Sequence, residues 1–298
     1  MNKAVTAALF MVACSALVAA TTLMAKALGR GVIDDVSLHP LQVSAGRFLF
    51  AWLVLVPLVV WRRPGFRGVA WSTHVGRSIS GWLGVTCLFA AAGLMSLSDA
   101  TAISFLSPVV TMLLAIPFLG ERIGPWRWGA AMVALGGAWV LIQPGADAFQ
   151  VAALVALAAA FFMGLEAVLI KKLTGMDSAV RILFINNSIG AAISVTAASF
   201  VWVPPTTLQW MVLAGIGIAM VTAQGLFIMA MRRTEASFAI PFFYTVLIFA
   251  GIYDFVVFRI VPGQASLIGG GLIIISALLL AWREGRQKDR HSPLSQRH

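Results

Sequence analysis

The sequence is poor in charge. Only 21 Lys and Arg and 11 Asp and Glu occur among 298 residues, whereas 60% of the residues are hydrophobic. A soluble domain carries about 25% charged residues, so the composition excludes an ordinary soluble enzyme, a disordered chain and a fibrous repeat. Ten membrane spans of about 20 residues would occupy most of a chain of this length. We therefore predict a protein made almost wholly of membrane helices.

Cysteine, histidine and nucleotide-binding motifs are also scarce. Cys14 and Cys87 both lie in apolar runs, which favours packing over a disulfide scaffold. The four histidines have no cysteine or carboxylate pattern around them, so we expect no metal site and no cofactor. No Gly-Lys-Ser/Thr phosphate loop is present, which excludes ATP-driven transport by this chain alone. No constellation of catalytic residues is evident, and we expect no enzymatic activity.

The net charge of +10 does not indicate a nucleic-acid partner. The basic residues lie in short clusters between apolar runs, as membrane insertion and contact with lipid headgroups require. If the N-terminus is cytoplasmic, most Lys and Arg fall on the cytoplasmic side, while the outer loops hold only Arg30 and Arg259. This asymmetry predicts that both termini are cytoplasmic.

Uncharged stretches predict ten transmembrane helices. One such stretch, from Ile182 to Met231, is too long for a single helix, and Pro204-Pro205 divides it. The first apolar run exceeds the 7–15 residues, roughly, of a secretion signal, so we expect an uncleaved first helix. We place the helices near residues 4–27, 41–61, 75–96, 101–119, 126–143, 151–172, 180–202, 208–231, 236–257 and 264–282.

The two halves of the chain carry a related motif. Ser98-Asp99-Ala100-Thr101 opens the fourth predicted helix, and Thr234-Glu235-Ala236-Ser237 opens the ninth. An acid suits a helix N-terminus, where exposed amides favour negative charge. Pro108 then interrupts the fourth helix and Pro241 the ninth. Each half has an odd number of spans, so the second half must be inverted relative to the first.

The predicted fold is therefore an all-α polytopic membrane protein with ten transmembrane helices arranged as two inverted five-helix repeats. The first repeat covers residues 1–147, the second covers 148–283, and a polar basic cytoplasmic tail covers 284–298. Inverted repeats with interrupted helices are typical of transporters that work by alternating access.

Several segments of the first half form a recognisable pattern: His39-Pro40 to Arg47-Phe48, Asp99-Ala100-Thr101-Ala102, Leu106-Ser107-Pro108-Val109, Phe118-Leu119-Gly120-Glu121-Arg122, Trp128-Gly129 and Gly136-Gly137. In these segments the sequence resembles the ten-helix EamA-type members of the drug/metabolite transporter superfamily. The second half departs after the ninth helix, where no Gly-Glu pair follows. The resemblance implies a secondary transporter of the bacterial inner membrane that exports amino acids or related small metabolites, similar to the YddG-like amino-acid exporters.

Polar and aromatic groups inside the predicted spans are candidates for substrate contact. The two interrupting prolines free backbone carbonyls near the membrane centre, and those carbonyls need a partner such as water, a side chain or substrate. Amides in hydrocarbon also hydrogen-bond neighbouring helices, so the structural interpretation stays open for each of them. The candidate residues are Trp82, Ser107, Pro108, Asn186, Asn187, Gln224, Pro241 and Tyr244.

Glu166 is the acid predicted to lie deepest in the membrane, and an intramembrane acid is a functional candidate by default. It could bind a proton for coupled transport or the ammonium group of a substrate. The alternative is an acid of the inner vestibule that pairs with Lys171 or Lys172.

Lys26 and Arg47 lie slightly inside the predicted outer boundary. They could attract a substrate carboxylate, or they could hold the outer helix ends together by pairing with Asp99, Asp254 or backbone carbonyls. We favour the structural interpretation for Arg47 and leave Lys26 open as a charge gate. Asp254 is expected to pair with Lys26, Arg47 or Arg259.

The leading hypothesis is a carrier with a small-molecule substrate, surrounded by membrane lipids. The alternatives are an exporter of drugs or other metabolites, a membrane enzyme acting on lipid headgroups, and a channel. An enzyme would need clustered acids, histidines or a metal motif at one interface, and a channel would need a continuous polar stripe. Glycines in the fifth and tenth predicted helices allow close packing, within a monomer or across a homodimer.

Overall fold

The computed structural model describes residues 3–66, 68–120, 124–142, 147–174, 176–231, 233 and 242–290, and these form helices and short connections without a strand. The eleven helices of these residues are α1 (Lys3–Gly29), α2 (Pro40–Arg62), α3 (Trp71–Leu94), α4 (Leu97–Ser104), α5 (Ser107–Leu119), α6 (Pro125–Ile142), α7 (Asp147–Thr174), α8 (Ala179–Ser199), α9 (Thr207–Met231), α10 (Thr245–Phe258) and α11 (Gln264–Arg290).

Seven helical segments of the described chain are long and apolar enough to cross a membrane. Three shorter apolar helices, Trp128–Val140, Thr245–Phe258 and Gln264–Ser276, lie where the fifth, ninth and tenth spans are predicted. The all-helical, polytopic fold class is therefore confirmed.

The bounds of one predicted helix differ from the structure. The expected helix at 101–119 is two helices, because α4 ends at Ser104 and α5 begins at Ser107. Pro108 has no N–H to donate to the carbonyl of Ser104, and its ring crowds that carbonyl, which favours a break at this point. The start also lies earlier than expected: Ser96 caps α4 and its hydroxyl accepts a hydrogen bond from the Asp99 amide at 3.0 Å.

The equivalent region of the second half is described only in part. The predicted helix at 236–257 begins with residues outside the described ones, including the motif at 234–237 and Pro241. Phe242 and Phe243 are helical, Tyr244 forms a turn, and α10 starts at Thr245.

Many helices of one half pack against helices of the other half. Helix α1 packs against α9 and α10 of the second half, whereas α7 packs against α3 and α5 of the first. Helix α2 packs against α8 and α9, α8 packs against α2 and α3, and α6 packs against α11. The contacts that hold the bundle together therefore run between the halves, and polar groups on α2, α3, α7 and α8 meet in its interior.

Close packing of α6 on α11 depends on glycine. A Cβ atom at Gly137 would lie 2.7 Å from the carbonyl oxygen of Gly269, a distance that real Cβ atoms essentially never show. Gly137 and Gly269 thus support packing of the fifth and tenth predicted helices within one chain, whereas a Cβ atom at Gly129, Gly136 or Gly271 would meet nothing within 4 Å.

Candidate functional site

Two of the charged groups that the bundle buries between its halves lie among the membrane-spanning helices. In the first, Lys26 of α1 pairs with Asp254 of α10, with 2.5 Å between Nζ and Oδ1. The second carboxylate oxygen accepts a hydrogen bond from the backbone amide of Leu97 at the start of α4. The side chains of Lys26 and Asp254 are 0% and 1% exposed. Asp254 thus pairs with one of the three partners expected from the sequence, and the pair joins three helices.

The second charged group lies deeper in the bundle, and we name it the arginine cluster: Arg47 of α2, Arg77 of α3, Glu166 of α7 and Asn186 of α8. An Nη2 atom of Arg77 lies 3.4 Å from Glu166 Oε1, and its Nη1 donates to the carbonyl of Ile182 at 3.2 Å. Arg47 lies within electrostatic range of both Glu166 and Arg77, and its guanidinium stacks 4.5 Å from the ring of Phe48.

Two glycines of α3 allow α7 to bring its carboxylate to Arg77. A Cβ atom at Gly81 would lie 2.8 Å from Oε1 of Glu166, and one at Gly84 would lie 2.9 Å from Cγ of Met163. Residues three apart share a helix face, so Gly81 and Gly84 form one smooth surface for α7. The absence of side chains there sets the position of Glu166.

Asn186 lies between the two arginines along α8. Its neighbour one turn earlier is Ile182, whose carbonyl receives the bond from Arg77. Its neighbour one turn later is Gly190, where a Cβ atom would lie 2.4 Å from the ring of Phe48. Because residues four apart share a helix face, Asn186 faces the same interior region as the two guanidinium groups.

Polar atoms without a hydrogen-bond partner concentrate at this cluster. Buried polar groups in folded proteins are almost always paired, so each exception needs an explanation. Three of the ten unpaired buried side-chain atoms found among the described residues belong to the arginine cluster, namely Arg47 Nη1, Arg77 Nε and Asn186 Oδ1. Three more, Ser78 Oγ, Trp82 Nε1 and Thr86 Oγ1, follow one another at four-residue spacing along α3, the helix of Arg77.

Three of the predicted site residues therefore lie at or beside the arginine cluster, namely Trp82, Glu166 and Asn186, while Lys26 lies in the other pair. The partner of Glu166 is Arg77 of another helix, whereas the sequence interpretation considered lysines of its own helix. Arg47 was expected near Asp99 or Asp254 at the outer end; the structure instead places it with Glu166 and Arg77.

The remaining predicted residues lie elsewhere. The Asn187 amide donates to the Leu183 carbonyl of its own helix at 2.9 Å. Gln224 lies half-buried in α9. The Tyr244 ring packs on Phe105 with 5.3 Å between centroids.

The break between α4 and α5 places Ser107 and Pro108 at the first two positions of α5. The Ser107 carbonyl accepts a hydrogen bond from the Thr111 hydroxyl at 2.8 Å. A Cβ atom at Gly164 would lie 3.0 Å from that same carbonyl, so α7 passes directly over the start of α5. Pro241 lies outside the described residues.

Sequence reasoning missed two contributors. Arg77 is one of the Lys and Arg residues that the charge asymmetry assigns to the cytoplasmic side, although the predicted helix at 75–96 contains it. Ser15 was not considered, yet its buried hydroxyl lies 3.0 Å from the carbonyl of Phe243 and 3.4 Å from that of Phe242. These are carbonyls beside a helix interruption, which need a partner inside a membrane.

A third polar group ties the opposite end of the bundle from the Lys26 pair. His74, at the start of α3, lies 2.7 Å from Asp177 in the connection between α7 and α8. Arg181 also pairs with Asp177 and donates to the carbonyl of Gly65. Burial raises the pKa of Asp177, but the hydrogen bonds from His74 and Arg181 outweigh it and hold the pKa below its usual range.

Comparison with known proteins places this geometry in context. Residues 5–143 and 150–282 each match a family described as the EamA-like transporter family. An S-adenosylmethionine uptake transporter of Rickettsia bellii is 27% identical over 248 residues, which is 83% of this chain and 85% of that protein. A riboflavin transporter of Rhizobium johnstonii is 29% identical and covers 72% of each chain.

Two further similarities bear on direction and fold. The pseudopaline exporter CntI of Pseudomonas aeruginosa is 26% identical over 207 residues, which is 69% of this chain and 73% of that protein. A crystal structure of another protein has a TM-score of 0.64, covering 91% of this chain and 97% of its own, at 20% identity. That likeness concerns the fold alone.

Proposed function

Because the chain belongs to the EamA-like transporter family, we propose that it is a secondary transporter that exports amino acids or related small metabolites by alternating access. Family membership makes the chain a membrane transporter and not an enzyme. The named relatives include uptake transporters as well as an exporter. Export is supported by the pseudopaline exporter and by the resemblance to YddG-like exporters.

We propose that the transport cycle exchanges the conformations of two inverted five-helix repeats, residues 1–147 and 148–283, followed by the tail at 284–298. Two observations support this. The family matches the chain twice, once in each half. The packing also exchanges between the halves, since α1 contacts α9 and α10 where α7 contacts α3 and α5. A repeat that packs in two equivalent ways can open toward either side of a membrane.

The observation that carries the function is the arginine cluster. The first half supplies Arg47 and Arg77, and the second half supplies Glu166 and Asn186. Charged residues inside membrane proteins are costly and mark substrate or ion pathways. A site shared by the halves changes its surroundings when the halves move, which is what alternating access requires. Glu166 is also our candidate for carrying a coupled proton.

We propose the bacterial inner membrane as the location, with both termini cytoplasmic. The distribution of Lys and Arg supports this orientation. In it, the pair of Lys26 and Asp254 lies toward the outer surface, and the contact of His74 with Asp177 lies toward the cytoplasm. A single cysteine placed at residue 147, in a variant without Cys14 and Cys87, tests the orientation: it should react with an impermeant thiol reagent in intact cells, whereas a cysteine at residue 298 should not.

The function is tested with purified protein in liposomes loaded with each of the twenty amino acids in radiolabelled form. We expect labelled efflux above that of protein-free vesicles for a subset of them. Alternating access further predicts that the same unlabelled amino acid outside accelerates the exit of label. A channel would show no such acceleration. Failure of all twenty amino acids to exit faster than from protein-free vesicles would remove amino acids as substrates.

A further inference from the structure

We propose that Arg47 and Arg77 bind a carboxylate of the transported solute, so that the protein selects amino acids over amines that lack this group. The inference rests on the proposed transport function and adds the chemical selectivity of its site. It assigns binding to Arg47, whose sequence position suggested a structural role.

The charges of the arginine cluster do not balance. Arg47 and Arg77 are 6% and 3% exposed as residues, and the carboxylate of Glu166 pairs with Arg77. Arg47 forms no ion pair with any acid of the described residues. An unpaired buried charge is strongly unfavourable, and Arg is always charged in proteins. The cluster therefore lacks one negative charge.

The other buried acids of the described chain do not supply that charge. Asp254 is held by Lys26 and by the amide of Leu97. Asp177 is held by His74 and Arg181 at the end of the bundle. Asp99, whose Oδ1 atom is buried without a hydrogen-bond partner, lies within electrostatic range of Lys26. None of these described acids balances the cluster, and a small anion from outside the chain would do so.

The unpaired atoms suit a carboxylate. Arg47 Nη1, Arg77 Nε and Trp82 Nε1 are donors only, and all three lack an acceptor. A guanidinium group matches the two oxygens of a carboxylate in a bidentate arrangement. Glu166, whose side chain is 22% exposed, and Asn186 Oδ1, which also lacks a partner, are acceptors suited to an ammonium group. Together they fit the two charged groups of an amino acid.

The depth of the cluster favours a solute over a lipid headgroup. Arg47 lies seven residues after the start of α2, and Asn186 lies seven residues after the start of α8. These antiparallel helices enter from opposite ends, so each residue is about 10 Å along its helix from a different membrane side. In a hydrocarbon core about 30 Å thick, Arg47 and Asn186 therefore lie on either side of the centre, about 10 Å apart in depth. They bound the middle third of the membrane, where transporters bind their substrates.

The test measures ligand-induced thermal stabilisation of the purified protein, which does not depend on transport. The probes are the twenty amino acids, the corresponding decarboxylated amines and the amino-acid methyl esters. We expect the wild-type protein to be stabilised by a subset of the amino acids and at least tenfold more weakly, in apparent affinity, by their amines and esters. Arg47→Met should remove this difference, because it removes a charge that only the carboxylate uses. Arg47→Lys should restore part of it, since it keeps the charge and loses the fork.

Arg62→Met is the matched control. Arg62 belongs to the same helix as Arg47 but is exposed at its end, so this variant should keep the wild-type preference. Equal stabilisation of the wild-type protein by acids and amines, or by neither, overturns the inference, as does an unchanged preference in Arg47→Met. Liposomes that carry amines as well as amino acids would overturn the inference and leave the transport function intact. Carboxylate-selective stabilisation without any transport would do the opposite.

Discussion

The two buried charged groups differ in how completely they are paired. Lys26 and Asp254 match one cation with one anion, and the second oxygen of Asp254 is occupied by the Leu97 amide. The arginine cluster has two cations for one anion, and three of its four residues carry an unpaired buried atom. Both groups consist of basic and acidic side chains buried between the same two halves. In the first group every charge has a partner, whereas in the second group one cation has no ion-pair partner among the described residues.

The difference separates two roles. A fully paired group needs nothing from outside and fixes the contact among α1, α4 and α10. An incompletely paired group is stabilised by whatever ligand completes it, and is therefore suited to binding. Their positions agree with this, because Lys26 is three residues from the end of α1 while the arginine cluster lies in the middle of the bundle.

The largest effect is expected from breaking the closed pair. Lys26→Met leaves the Asp254 carboxylate buried without its cation, and removing one partner of a buried ion pair costs about 3–5 kcal/mol. We expect a strongly lowered unfolding temperature in detergent, measured by the fluorescence of a thiol-reactive dye at Cys14, which is buried, and Cys87, which is partly buried.

The double variant Lys26→Met, Asp254→Leu is the control for this prediction. It removes both charges and should recover most of the lost stability, because apolar replacement of a whole buried pair is often neutral. If the single and double variants are equally unstable, the ion pair is not what matters at this position.

Sequence reasoning predicted the pair of Lys26 and Asp254 better than the arginine cluster. The reason is that a sequence indicates how deep in the membrane a charge lies but not which helix it faces. Charges that interrupt apolar runs near helix ends must lie at similar depths, so Lys26 and Asp254 could be related without knowledge of packing. For Glu166, the depth was predicted but the partner was not. Its partner depends on which face α7 turns toward α3, and two glycines decide this.

The helix interruptions show the same limit. Pro108 indicated a break in the fourth predicted helix, but a proline alone does not say whether the helix kinks or ends. It ends at Ser104 and restarts at Ser107. Arg77 was misplaced because a cation near a helix end usually faces headgroups, whereas its contacts with Glu166 and the Ile182 carbonyl show that it faces inward.

An intermediate effect is expected from Gly81→Ala, which tests the arginine cluster by displacing the side chain of Glu166. The new methyl group would lie 2.8 Å from Glu166 Oε1, and that side chain must move away from Arg77. Since the displaced group is the end of a flexible side chain, we expect a stability change of at most about 1 kcal/mol, partly offset by the helix preference of Ala over Gly. Amino-acid binding should weaken several-fold in the thermal-stabilisation assay.

Gly93→Ala is the matched control, because Gly93 lies in the same helix and a Cβ atom there meets nothing within 4 Å. It should leave binding unchanged. Equal loss of binding in both variants would mean that α3 tolerates no added methyl group and that the position of Glu166 is not the cause.

The smallest effect on stability is expected from Arg47→Met, and it tests the comparison most directly. Lys26 and Arg47 are both buried cations, yet only the loss of Lys26 leaves an acid without its ion-pair partner. Methionine at position 47 removes an uncompensated charge and loses the stacking on Phe48, which is worth about 0.5–2 kcal/mol. These contributions oppose each other, so we expect an unfolding temperature close to that of the wild-type protein, measured in a buffer without carboxylates. Destabilisation as large as that of Lys26→Met would show that Arg47 has a structural partner. Both buried charged groups would then have a structural role.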